Sequence, residues 1–170
     1  MRRLLLFLGC IALLSFPATV EAQQEFTNDK IEYTIELATA NWKAISVSSP
    51  VREEFEFVNG DRLEGLLQIR KQVVDANVTP SELARQDQDT KLHYRPGFVA
   101  GKEEKFVGRL SGVTITYEYT HTGKAMMGRI YYLQADSRTI YMLHFTGLRD
   151  RLARIRNQTD VMARSFKLKN

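Results

Sequence analysis

The sequence predicts an α+β fold in which an antiparallel sheet is flanked by helices. Three observations carry that expectation. Residues 111–147 alternate apolar and polar at strand period, interrupted only by two short turn signals. Followed through those turns, the strands are largely apolar on both faces, so the sheet needs cover on both sides. Two other segments read as covering helices: a capping box opening at Thr79 and an apolar stripe running from Leu148 to Met162.

The chain opens on an export signal. Arg2 and Arg3 start it, the 13 residues Leu4–Phe16 are almost unbroken apolar sequence, and Pro17 ends the run. Val20-Glu21-Ala22 supplies small residues at −3 and −1 of a cleavage site. The apolar run is short for a membrane span, so cleavage after Ala22 and a secreted or periplasmic location are expected, with a retained anchor as the alternative. Leu8-Gly9-Cys10 faintly resembles a lipidation site, but the apolar run continues past it. Cleavage leaves 148 residues, enough for one domain with a sizeable core. It also removes Cys10, the only cysteine, and with it disulfides, thiolate metal sites and cysteine catalysis. Two positive charges and one negative leave with the signal, so the net charge falls from +4 to +3, too mild to indicate a nucleic-acid partner.

Residues 23–30 are polar and read as a flexible leader to a single domain over 31–170. Ile31–Leu37 alternates as a half-buried strand, as do Val51, Phe55 and Phe57 against Arg52, Glu54 and Glu56. Asn59-Gly60-Asp61 turns that strand into another over 63–74, a hairpin. Thr79 is an N-cap, Pro80 takes N1, and Glu82 at N3 completes a capping box, with the helix ending before Pro96-Gly97. Thr122-Gly123 and Asp136-Ser137 are each expected as two-residue loops. On that register one face carries Val113, Ile115, Tyr117, Tyr119, Met126, Ile130, Tyr132, Tyr141, Leu143 and Phe145. The other carries Met127, Tyr131, Leu133, Ile140 and Met142, interrupted by Arg129 and His144. Leu148, Leu152, Ile155, Thr159 and Met162 form the stripe of the closing helix, and Ser165–Leu168 follows as a short strand or tail.

The opening Tyr33–Leu37 strand with the lone Trp42, the 106–145 ladder, and the closing helix leading into Ala163–Lys167 resemble the PsbP-like superfamily. That superfamily includes Ran-binding Mog proteins, DcrB-type envelope proteins and LpqN-type lipoproteins. The resemblance covers most of residues 31–168. It implies an α/β/α sandwich and an accessory or binding role, and it brings no catalytic motif to carry over.

The residues offer little chemistry of their own. No His-x-x-x-His or cysteine pair occurs, and the expected register puts His121 and His144 on opposite faces, so no metal site or cofactor is expected. There is no Gly-x-Ser-x-Gly elbow and no phosphate loop. Arg149, Arg151, Arg154 and Arg156, with Arg164, make a basic surface on the closing helix, a candidate for an envelope protein, anionic lipid or acidic polysaccharide. Tyr131, Met127 and Met142 are expected as core, with an apolar pocket as the alternative. The reading is an exported, monomeric, non-enzymatic binding or accessory protein of the cell envelope. The alternative is a small secreted enzyme or metal-binding protein using His93 and His144, which polar convergence around His93, Arg95 or His144 would favour.

Overall fold

A computed structural model describes residues 24–48 and 53–169. The proposed signal and its cleavage site lie outside the described residues, as does Val51. A seven-stranded antiparallel sheet runs in the order β3 (Trp42–Ser48), β4 (Glu53–Asn59), β5 (Asp61–Val73), β9 (Thr139–Leu148), β8 (Lys124–Asp136), β7 (Ser111–His121), β6 (Val99–Val107). A smaller sheet pairs β1 (Gln24–Phe26), β2 (Tyr33–Leu37) and β10 (Lys167–Leu168). Segment 23–30, expected as a flexible leader, therefore contains a strand. Phe26 on that strand meets Phe55 and Phe57 edge-on at 5.3 and 5.0 Å, and those contacts hold it.

The local signals act as their chemistry predicts. Thr79 accepts from the Glu82 amide, the Glu82 carboxylate accepts from the Thr79 amide, and Pro80 opens helix α1 (Pro80–Asp87). A π-helical turn over Gln88–Leu92 extends it and ends at His93. Thr122 and Gly123 both take positive φ, at 47° and 72°, the geometry of a two-residue turn matched to strand twist. His121 accordingly faces Lys124. The closing helix is split by Ile155 (φ −95°, ψ 16°) into α2 (Arg149–Arg154) and α3 (Arg156–Ser165).

The second ladder turn departs from expectation. Gln134 pairs with Ile140 and Asp136 with Thr139, so Ala135 is an extra residue and the loop is Ser137-Arg138. One inserted residue moves every side chain of the following strand to the opposite face. Tyr141, Leu143 and Phe145 therefore join Tyr131, Leu133 and Arg129, whereas Ile140, Met142 and His144 join Tyr132, Ile130 and Tyr117. The sequence register had assigned β9 the other way round.

Two cores follow. On the first face Trp42, Phe57, Leu67, Tyr131, Leu133, Tyr141, Leu143 and Phe145 pack against β2, α2, α3 and Phe166. Trp42 is 1% exposed and Phe166 0%, and the Trp42 indole donates to Gln158 of α3 at 2.9 Å. On the second face Ile115, Tyr117, Ile130, Tyr132 and Ile140 pack under Leu83, Ala84 and Leu92. The architecture is an α+β sandwich with cover on both faces of the large sheet. No helix among the described residues is long and apolar enough to cross a membrane.

Candidate ligand-binding face

The two faces are covered unequally. The first is closed by two helices and a small sheet, while α1 on the second packs mainly on β7 and β8. Over β3 and β5 the second face remains partly accessible: Ile45 is 41% exposed, Arg70 is exposed and Gln68 is half-buried, while Glu56 and Val58 of β4 between them are buried. The register puts Ile45, Glu56, Gln68, His144, Ile130 and Ile115 in one row across six strands. Of its polar members Glu56 is buried, and Gln68 and His144 are half-buried.

Those polar groups connect. Gln68 donates its amide to Glu56 at 2.7 Å, and Arg62 closes on the other Glu56 oxygen at 2.6 Å. Gln68 stands directly across from His144. His144 Nε2 shares a 2.8 Å hydrogen bond with the Tyr117 hydroxyl. That bond depends on Gly128, which faces Tyr117 across the ladder: any Cβ there would lie 2.2 to 2.5 Å from the Tyr117 ring. The absent side chain lets the ring lie across β8 toward His144.

The turn after the π-helix closes one end of this row. Arg95 places its guanidinium 4.6 Å from the centre of the Tyr119 ring and 5.7 Å from that of Tyr117. His93 and Phe98 continue the aromatic run, with Phe98 6.0 Å from Tyr117. His93, Arg95 and His144 thus converge on one region, although Phe98 and Tyr117 stand between the two histidines. Apart from this row, a groove of about 280 Å³ opens between α1 and the end of β5, lined by Gln72, Val74, Leu83, Gln86 and Arg138.

Electrostatics settle what this region can do. Burial, reinforced by the guanidiniums of Arg95 and Arg70, pushes the pKa of His144 down to about 3. Burial raises that of Tyr117 above its ordinary value. At neutral pH the pair is an uncharged imidazole bonded to an uncharged phenol. Among the described residues no group of three or more His, Cys, Asp or Glu side chains can hold a metal ion.

The helical arginines expected as an anionic-partner surface are exposed, and most already face carboxylates. Arg149 lies 3.5 Å from Glu118 and 3.4 Å from Asp150, Arg151 3.2 Å from Glu64, and Arg156 3.2 Å from Glu104. Arg154 has no ion pair among the described residues. Arg164 caps the Val107 carbonyl and lies over Phe106. Arg129, expected beside His144, is on the first face and serves the fold: it reaches Asp160 at 3.0 Å and Tyr131 at 2.6 Å, binding α3 to β8. Tyr131 is fully buried core, while Met127 and Met142 pack at the edges of the two separate cores.

The sequence marked His93, Arg95 and His144 but missed Gln68, Arg70 and Gly128. For Gln68 and Arg70 the signal was the alternation in β5, whose polar positions Gln68, Arg70 and Gln72 share a face.

No family model matches the chain, and no curated protein matches it either. Solved structures do match. LpqN of Mycobacterium tuberculosis, described as involved in cell envelope biogenesis, shares 13% identity over 88% of this chain and 91% of its own, with a TM-score of 0.55. The cyanobacterial PsbP of Synechocystis sp. PCC 6803 shares 10% over 91% and 96%, at 0.58. The Ran-binding protein Mog1p of Saccharomyces cerevisiae shares 10% over 87% and 96%, at 0.61. The resemblance read from the sequence is thus borne out at the level of the fold, which is the PsbP-like one.

Proposed function

We propose that the protein is an exported, non-enzymatic binding or accessory protein of the cell envelope. In this reading cleavage at Ala22 releases residues 23–170 as one domain that includes β1, and it holds its partner on the accessible part of the second sheet face. The observation that carries it is the state of His144. A general base works best with a pKa near the operating pH, and burial with two guanidiniums pushes this imidazole down to about 3. The polar convergence is therefore suited to hydrogen bonding and charge recognition rather than proton transfer. An envelope role is supported by the fold shared with LpqN, a protein of cell envelope biogenesis. The enzyme or metal-binding alternative is not favoured.

The open face is preferred to the helical arginines Arg149, Arg151, Arg154 and Arg156 because a partner at three of them, Arg149, Arg151 and Arg156, must compete with Glu118, Glu64 and Glu104. That basic surface remains the weaker proposal for an envelope protein or anionic lipid or polysaccharide. Native mass spectrometry of the purified protein, with metal analysis, tests the reading. An unmodified, metal-free chain carrying a specific envelope protein or lipid is expected. Stoichiometric zinc, or a covalent adduct at His93 or His144, would contradict it.

A further inference from the structure

We propose that the open face binds a phosphate group between Arg95 and Arg70, beside His144; this rests on the binding-protein reading and adds the chemistry of the ligand. The two arginines come from different elements. Arg95 is set by the turn after the π-helix, and its guanidinium lies on the rings of Tyr117 and Tyr119. Stacking fixes the plane of a guanidinium while its N–H edges stay free to donate. Arg70 is exposed on β5, directly across from Met142 and diagonal to His144.

Arg62, Arg129, Arg149, Arg151 and Arg156 face carboxylates, whereas among the described residues neither Arg70 nor Arg95 makes an ion pair. Among the described residues Arg85, Arg109, Arg138 and Arg154 also lack an ion pair, and what distinguishes Arg70 and Arg95 is their place beside the Tyr117–His144 pair. Both act on His144, holding its proton affinity down. Glu56, the carboxylate of the same row, is occupied by Gln68 and Arg62. The groups facing His144 from the neighbouring elements are therefore the Tyr117 phenol, the Gln68 amide and two cations.

Charge selects the ligand. Two guanidiniums without a facing carboxylate match a phosphate, which carries about −1.5 to −2 as a monoester at neutral pH and accepts several charge-assisted hydrogen bonds. A carboxylate would neutralise only half of the pair. The phosphate has two sources, a free anion or a lipid headgroup. Tyr94 bears on the second: it is 77% exposed next to Arg95, the placement of an aromatic anchor at a membrane interface.

The test is a titration of the purified protein with inorganic phosphate, followed by NMR of the His144 ring, beside sedimentation with phosphatidylcholine vesicles with or without phosphatidic acid, whose headgroup is a phosphate monoester. R70Q and R95Q are compared with R151Q, and R70Q is decisive because Arg70 is exposed and supports no packing. Phosphate should raise the pKa of His144, and R70Q and R95Q should each weaken binding at least tenfold, with R151Q unchanged. Binding of inorganic phosphate identifies a free anion; binding only to phosphatidic acid vesicles, lost in R70Q, identifies a headgroup. Failure of both probes, or equal binding by R70Q and the unaltered protein, overturns the proposal. If an envelope partner is still captured by R70Q and R95Q, the phosphate assignment fails and the binding-protein reading stands. Bound zinc would instead remove that reading.

Discussion

His144 links the chemistry of the open face to a measurable pH dependence. Its folded pKa, about 3, lies below the ordinary 6.5. The unfolded chain thus takes up a proton that the folded one refuses as pH falls below about 6.5. Stability supplied by the neutral ring is full above that pH and is lost progressively down to about 3. Replacing His144 by Gln should flatten the stability profile between those limits, measured as urea midpoints across pH; an unchanged slope would mean that the ring is accessible and titrates normally. Gly128 gives a second test. A methyl there must displace Tyr117, so G128A should cost about 1–3 kcal/mol by overpacking and alter the His144 ring signals, read by denaturant titration and NMR. The sequence showed these residues but not their neighbours, because the register that joins them depends on a bulge.

That bulge dominates the element scale. Alternation from Arg138 to Thr146 was plain, but nothing in Ala135-Asp136-Ser137 reveals which residue is left unpaired. Deleting Ala135 should remove the bulge while leaving Gln134 opposite Ile140 and Leu133 opposite Tyr141, so Tyr141, Leu143 and Phe145 keep their face, whereas inserting one further residue beside it should set them on the wrong face. A cooperative, native-like transition by circular dichroism is expected for the deletion and its loss for the insertion; the reverse pattern would refute the assignment. The capping box, by contrast, was legible to the residue because its chemistry is local; T79A should cost about 1 kcal/mol in stability. Strand β3 was missed for a physical reason. Its inward positions after Trp42 are Ala44 and Ser46, while Ile45 and Val47 point to the open face, so polarity runs against burial. Strand β6 was legible only near Phe106, because its other residues are exposed and charges along an edge discourage pairing with other chains. Between elements, Arg129 and Asp160 hold α3 on the sheet, with Arg129 only 5% exposed. D160A strands that charge and should cost up to about 3–5 kcal/mol, as thermal and denaturant unfolding would show.

At the scale of the molecule the central feature is unequal cover. Long-range packing on the first face comes from both ends of the domain: β1 and β2 near its start, and α2, α3 and Phe166 near its end. Composition and periodicity foretold helices on both sides of the sheet. They could not foretell that α1 would cover only part of its face, because that follows from where the turn after the π-helix docks on Tyr117 and Tyr119. The uncovered part carries Gln68 and Arg70 and borders Arg95 and His144, and the account makes it the working surface of an exported binding protein. Site-specific photo-cross-linking in the native envelope tests this most directly, with the probe placed at Gln72 or Tyr94 on the open face and at Arg154 on α2. The account predicts a discrete adduct from Gln72 and Tyr94 that is lost in R70Q and R95Q. A discrete adduct from Arg154 alone, with the open face silent, would contradict it.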